Sequence, residues 1–328
     1  MSSHSAQLKE LIAPVADGIQ RMRDTIAHEL REESPAVREM VEHVARFQGK
    51  QLRAALVLLS GEATGNTTDE HASIAAVVEM IHLATLVHDD VLDGAEVRRR
   101  VACVNHRWDN QTAVLLGDFL YARAFAVSTD LSSRLCSRVL SEATRRICVG
   151  EIEQAAGRYD FEATQERYEW VAGAKTATLY AAACELGARY PGGRDELGAK
   201  MRQFGWDLGL AFQIIDDCLD LTATESVAGK SVGVDVDDGK VTLPVLWAYN
   251  NASEAGRNAI RDIYTTPGLS DRVARLRSAC RLDAGVEYAR QRADGLIAAA
   301  LSSVRELPPS PARRSLENIA SFVLARSF

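Results

Sequence analysis

Apolar residues recur at helical spacing along almost the whole chain. Leu52, Leu56 and Leu59 form one such stripe, which breaks at GEATGNTTDE (61–70). A further helix is predicted from about Asp69 to Leu92, stopped by Gly94 and followed by a charged stretch. The same spacing predicts helices over 111–128, 132–156, 165–189, 195–221, 241–250, 255–264, 269–279, 283–304 and 310–326. Breaks fall at Gly157, YPGGR (190–194), TATESVAGKSVGVDVDDGK (222–240) and ELPPSP (306–311). No stretch alternates apolar and polar residues long enough to need a sheet, and no short repeat or low-complexity linker appears. The simplest architecture is all-α, one large helical domain over residues 1–328.

Two places break the pattern in the same way. LVHDDVLDG (86–94) puts Asp89, Asp90 and Asp93 at the end of an apolar run that begins around Val77. FQIIDDCLDL (212–221) does the same with Asp216, Asp217 and Asp220. On a helix, Asp89 and Asp93 point the same way, as do Asp216 and Asp220, and Gln213 joins the second face four residues before Asp217. Two carboxylates at close range repel by roughly 1 kcal/mol in water and about 4 kcal/mol at an effective dielectric of 20. A single D-D-x-x-D is commonly a solvated helix end. Two copies, each entered through an apolar helix with no polar stripe to expose, point instead to cations.

Composition narrows the class. At 328 residues and 47% hydrophobic, the chain can bury a sizeable core and is not disordered. A net charge of −7 argues against a basic nucleic-acid-binding surface. Cys103, Cys136, Cys148, Cys184, Cys218 and Cys280 are scattered without a C-x-x-C pair, as reduced cytosolic thiols are, and suggest neither a disulfide framework nor a zinc site. MSSHSAQLKE lacks a signal pattern, and no uninterrupted apolar run is long enough to span a bilayer, so the expectation is a soluble, cytoplasmic protein without a membrane anchor.

Hard carboxylate oxygens with no cysteine or paired histidine nearby favour magnesium over zinc, as an ion that keeps waters and binds phosphates. His88 points about a quarter-turn from Asp89 and reads as packing or as support for a ligand. No Glu-x-x-His pair is present to suggest a di-iron centre. Phosphate would also require positive side chains. GKQLR (49–53) supplies Lys50 and Arg53, EVRRR (96–100) supplies Arg98, Arg99 and Arg100, and Lys175, Lys230 and Lys240 follow. Each group alone reads as solvated surface; the placement of several after the acidic clusters gives them a common purpose.

With these residues assembled, the chain resembles the trans-prenyl diphosphate synthases, the head-to-tail chain-elongating polyprenyl type. The resemblance runs from about Gly49 to Pro244, with a weaker helical continuation beyond. It rests on IHLATLVHDDVLDGAEVRR (81–99), GDFL (117–120), GEIEQ (150–154), KTATLYAAACELGA (175–188), FQIIDDCLD (212–220) and GKSVGVDVDDGKVTLP (229–244), in that order. It implies an isoprenoid-synthase bundle around a central cleft, about three magnesium ions, and a homodimer. The substrates it implies are isopentenyl diphosphate and an allylic diphosphate.

Residue by residue, the resemblance implies that Asp89 and Asp93 ligate two magnesium ions and Asp216 a third, supported by Asp90, Asp217 and Asp220. Lys50, Arg53, His82 and Arg99 match the positions that hold isopentenyl diphosphate, and Arg98, Lys175, Lys230 and Lys240 those that hold the allylic diphosphate. Thr176 and Gln213 would offer oxygens near the carbon that ionises. The implied chemistry is loss of diphosphate to give an allylic cation, attack by the isopentenyl double bond, and proton loss to the departing diphosphate. Three positions depart from the family pattern. Gln48 replaces a glycine, Ala54 a proline, and Arg100 the glycine of R-R-G.

Product length depends on what lies beneath the first cluster. Ala84 and Thr85 fall about one turn (roughly 6 Å) deeper than Asp89, where short-chain relatives carry an aromatic floor. Their small size should let a growing tail pass, toward a deeper stop at Ile81 and at Phe119 or Leu120. A close helix crossing would equally account for Ala84. The expectation is a long polyprenyl product, with geranylgeranyl or farnesyl diphosphate as the alternative. A class I terpene cyclase fits less well, because its second metal motif is usually N/D-x-x-S/T-x-x-x-E and it needs no second diphosphate site. A non-catalytic partner subunit would tend to have lost its aspartate clusters.

Overall fold

The structure is a computed structural model that describes residues 10–32, 34–47, 49, 51–98, 101–222 and 233–325. Gln48, Lys50, Arg99, Arg100 and Lys230 lie outside the described residues. The fold is all-α, as the periodicity predicts. In chain order the helices are α1 (Ala16–Glu29), α2 (Pro35–Val44), α3 (Leu52–Thr64), α4 (Glu70–Leu92), α5 (Val104–Arg107), α6 (Asn110–Asp130), α7 (Leu135–Ala156) and α8 (Gln165–Ala172). After a π-helical turn at Gly173–Ala177 come α9 (Thr178–Arg189), α10 (Asp195–Thr222), α11 (Val234–Asp237), α12 (Leu243–Asn250), α13 (Glu254–Thr265), α14 (Arg272–Ala279), α15 (Leu282–Arg305) and α16 (Pro311–Leu324).

The chain forms two compact units, each drawn from several segments. The first comprises Met1–Thr144, Leu179–Gly205 and Leu301–Ile319. Its centre is α4, an unbroken run without glycine or proline that packs against α1, α3 and α6. Ile74, Ala75, Val77, Val78, Met80 and Ile81 are all fully buried. By length and composition α4 could cross a bilayer, but 61% of its apolar window is buried inside the protein, as befits a core helix. Its far end is tied down by His71, whose Nε2 donates to the Gly187 carbonyl at 2.9 Å while Nδ1 accepts from the Thr68 N–H at 3.0 Å. Gly187 sits where α9 meets α3, and a Cβ there would lie 2.0 Å from the Val57 carbonyl oxygen. Only glycine fits that crossing.

The second unit comprises Arg145–Thr178, Trp206–Ala300 and Ala320–Phe328. Within it α8 packs on α12, α12 on α13, and α13 on α14. Phe161, Tyr249 and Tyr264 form an aromatic core, with Phe161 5.1 Å and 5.2 Å from the other two ring centroids. Thr164 caps α8 by accepting from the Arg167 N–H at 3.2 Å.

Three features differ from the sequence expectation. Helices α1 and α2 form ahead of the first predicted stripe, because a few buried anchors (Ile19, Met22, Val44) suffice to hold otherwise polar helices. Val97–Arg98 pairs antiparallel with Val101–Ala102, a ladder too short to leave an alternating pattern. His43 holds this hairpin, its Nε2 donating to the Ala102 carbonyl at 2.7 Å. The helix expected over 165–189 is interrupted by the π turn, which inserts without changing the apolar composition.

Candidate active site

The first aspartate cluster occupies the C-terminus of α4. Gly94, at φ +61°, lets the chain leave the helix, with Gly94 N–H donating to Val91 O at 3.3 Å and Ala95 N–H to Asp90 O at 2.9 Å. Asp89, Asp90 and Asp93 therefore sit where the helix dipole already presents negative charge. Asp90 is buried, and its Oδ1 accepts from Nε and Nη2 of Arg98, each at 2.7 Å. The short hairpin thus delivers Arg98 to the cluster. Cys103 lies against the same carboxyl; burial and the Asp90 charge push its thiol up to about 12, which keeps it protonated. His88 turns aside as expected, its Nε2 3.1 Å from the Val114 carbonyl.

Further along the same unit, Arg53 on α3 meets His82 on α4, Nη1 to Nε2 at 2.9 Å, and its guanidinium stacks 4.5 Å over the Tyr180 ring. Arg53 Nε is buried with no hydrogen-bond partner among the described residues. The Ala54 departure has a structural counterpart. Ala54 keeps the N–H that proline lacks and donates it to Glu79 Oε1 at 3.0 Å. Ala84 and Ile81 are fully buried on α4, Leu120 is fully buried on α6, and Phe119 is half-buried. Thr85 is half-buried and donates its hydroxyl to the His82 carbonyl at 2.7 Å, so it is less a bare small residue than the sequence suggested.

The second cluster repeats the arrangement in the other unit, at the C-terminal end of α10. Asp217 and Asp220 are buried and Asp216 is half-buried. Asp217 Oδ2 accepts from the Tyr168 hydroxyl at 2.5 Å, and Oδ1 from Gln213 Nε2 at 2.7 Å. Burial pushes the Asp217 carboxyl well above the usual carboxylate range; the nearby Asp235 adds to the shift, while Tyr168 and Gln213 oppose it. Asp220 Oδ2 accepts from the Asp235 N–H at 3.1 Å. Lys240 is nearly buried, with Nζ 3.0 Å from Asp238 Oδ2 and 3.7 Å from Asp235 Oδ1.

Lys175 and Thr176 sit in the π turn. Gly173 fixes its position, since a Cβ there would lie 2.4 Å from the Trp206 ring. Lys175 Nζ donates to Glu151 Oε2 at 2.8 Å and to Gln154 Oε1 at 3.1 Å, so the GEIEQ segment meets the KT pair directly. Thr176 donates its hydroxyl to Gln213 Oε1 at 2.6 Å. Sequence reasoning gave no role to Tyr168, Glu151, Gln154, Glu79 or Asp235. GEIEQ was a visible signal for two of them, whereas Tyr168 lies 49 residues from its partner and left none. Among the described residues no three His, Cys, Asp or Glu side chains converge closely enough to enclose a metal by themselves. The donor set is nonetheless hard carboxylate oxygen at two helix C-termini, which suits a magnesium ion that keeps water and phosphate in its shell.

The chain matches the polyprenyl synthetase family over residues 34–281. It is 35% identical over 319 residues to the all-trans-nonaprenyl-diphosphate synthase (geranyl-diphosphate specific) of Rhodobacter capsulatus, covering 97% of this chain and 98% of that one. It is 33% identical over 323 residues to the octaprenyl diphosphate synthase of Escherichia coli (strain K12), covering 98% of each. The solved decaprenyl diphosphate synthase from Rhodobacter capsulatus superposes with a TM-score of 0.92 at 31% identity, covering 97% of this chain and 99% of that one.

Proposed function

This chain belongs to the polyprenyl synthetase family, and on that premise we propose how its residues divide the work. It is a polyprenyl diphosphate synthase, a trans-prenyltransferase that condenses isopentenyl diphosphate with an allylic diphosphate into long-chain products. The observation that carries the residue-level reading is the repetition of one unfavourable arrangement, three carboxylates at a helix C-terminus, in α4 and again in α10.

In this reading Asp89 and Asp93 would hold two magnesium ions and Asp216 a third, with Asp90, Asp217 and Asp220 in support. When bound, magnesium offsets the charge of the allylic diphosphate and makes it a better leaving group. Arg98, Lys175 and Lys240, with Lys230, bind that diphosphate and stabilise charge as it develops. Asp90 holds Arg98 in place, and the Glu151–Gln154 pair holds Lys175. Arg53 and His82, with Lys50 and Arg99, bind isopentenyl diphosphate; the buried Nε of Arg53, without a partner among the described residues, supports this. Thr176 and Gln213 turn oxygen toward the carbon from which diphosphate departs. The isopentenyl double bond attacks that carbon, and the departing diphosphate takes the proton, so no protein base is required.

Ile81, Ala84, Thr85, Phe119 and Leu120 are read as the residues that let the tail grow long. The enzyme is read as cytoplasmic and as a homodimer, a role for which the exposed Val114 and Leu115 of α6 are suited. Incubating the purified chain with farnesyl diphosphate and labelled isopentenyl diphosphate should transfer label into lipid when magnesium is present and not when it is chelated. Magnesium-independent transfer would overturn the metal assignment.

A further inference from the structure

Tyr168 has no part in the roles proposed so far, yet it belongs to a hydrogen-bonded chain that runs to Thr176. Four side chains from α8, the π turn and α10 are linked: Tyr168 to Asp217 at 2.5 Å, Gln213 to Asp217 at 2.7 Å, and Thr176 to Gln213 at 2.6 Å. We infer that Tyr168 is a positioning residue for the ionisation step, acting through Asp217 and Gln213 to fix the direction of the Thr176 hydroxyl. The inference rests on the reading that Thr176 faces the ionising carbon.

The directions follow from what each group can do. Both neighbours of Asp217 present a donor to it, one to each oxygen. Tyr168 gives its O–H to Oδ2 and Gln213 gives an Nε2 hydrogen to Oδ1. That choice settles the Gln213 amide, with nitrogen toward Asp217 and Oε1 toward Thr176. Oε1 then takes the Thr176 hydrogen. With its hydrogen committed to Oε1, the Thr176 hydroxyl has only oxygen lone pairs to turn toward a developing cation. Burial pushes the Tyr168 phenol well up, which keeps it a donor.

Without the phenol, Asp217 Oδ2 is left buried with one donor fewer. A carboxyl that loses this anchor can rotate, which releases the Gln213 amide to turn over. Thr176 then has no acceptor for its hydrogen, and the positive end of its dipole swings toward the cation. Close packing of Gly173 against the Trp206 ring restrains the turn that carries Thr176.

The test is steady-state kinetics with farnesyl and isopentenyl diphosphates on the full chain, wild type beside Tyr168→Phe, Thr176→Val and the double variant. Tyr168→Phe keeps the ring, so its melting temperature should stay within a few degrees. Its kcat should fall roughly tenfold, with KM for both diphosphates and the half-saturating magnesium concentration unchanged within about twofold. In the double variant the loss should be about that of Thr176→Val alone, because a residue acting through Thr176 has nothing left to act on. A wild-type kcat in Tyr168→Phe, losses that multiply, or a raised magnesium requirement would each overturn the inference. If Tyr168→Phe melts too low to assay, Gln213→Leu against Thr176→Val reads the same link from its other end, and multiplying losses again overturn it. The two readings stay separable: no elongation by the wild-type chain contradicts the function, whereas an active wild type with independent losses contradicts only the relay.

Discussion

Three carboxylates at the end of a helix work against the partial negative charge of its last carbonyls, and the chain does this twice. At the residue scale, the proposed magnesium ions would offset that cost. Asp89→Ala should lower kcat by about 10²–10³-fold, the range for removing one strong electrostatic contact to a transition state. Magnesium and inorganic diphosphate together should raise the melting temperature of the wild type, and Asp89→Ala should abolish that rise. A retained shift would place the ion elsewhere. Ala54 supplies a second residue-scale prediction. It lies in the first turn of α3, where proline is sterically tolerated, so Ala54→Pro should cost only the hydrogen bond to Glu79. Urea denaturation should show a loss of about 0.5–1.5 kcal/mol with activity retained.

At the scale of elements, close helix crossings set the tolerances. Gly187→Ala should destabilise by at least about 1–3 kcal/mol, because the new methyl meets the Val57 carbonyl and backbone cannot step aside. Ala84→Phe places an aromatic ring within α4 below the first cluster, and should shorten the product; an unchanged distribution would count against that helix as a tunnel wall. Most of these helices were legible in the sequence. The spacing predicted 195–221 and the structure forms Asp195–Thr222; it predicted Asp69–Leu92 and the structure forms Glu70–Leu92. Periodicity reports a buried face, so it could not report the π turn at Gly173–Ala177, whose residues are as apolar as a regular helix needs. The site was legible to the same limit. Local spacing put Asp89 and Asp93 on one face, but the bonds of Asp217 to Tyr168, and of Lys175 to Glu151, join segments far apart in the chain. Only the fold brings those together.

For the whole molecule, His71 makes stability depend on pH. Burial holds its imidazole below the ordinary value near 6.5, while the Gly187 and Thr68 bonds and the charges of Glu62 and Glu70 resist that shift. Neutral in the fold and protonated in the unfolded chain, it contributes stability that is fully present above about pH 6.5. That contribution declines as pH falls below 6.5 toward the folded value. The melting temperature should therefore drop between pH 7 and pH 5.5, and His71→Gln should flatten that slope. Assembly is a separate whole-molecule matter. Sedimentation should give a dimer, and Leu115→Glu should shift it toward monomer if the exposed face of α6 is covered by a second copy.

The central claim is that this chain elongates an allylic diphosphate to a long polyprenyl product. Mass spectrometry of the products from purified enzyme, farnesyl diphosphate, isopentenyl diphosphate and magnesium tests it most directly. Prenyl diphosphates well beyond twenty carbons are predicted; a sharp stop at twenty or fewer, or unconsumed substrates, would contradict it.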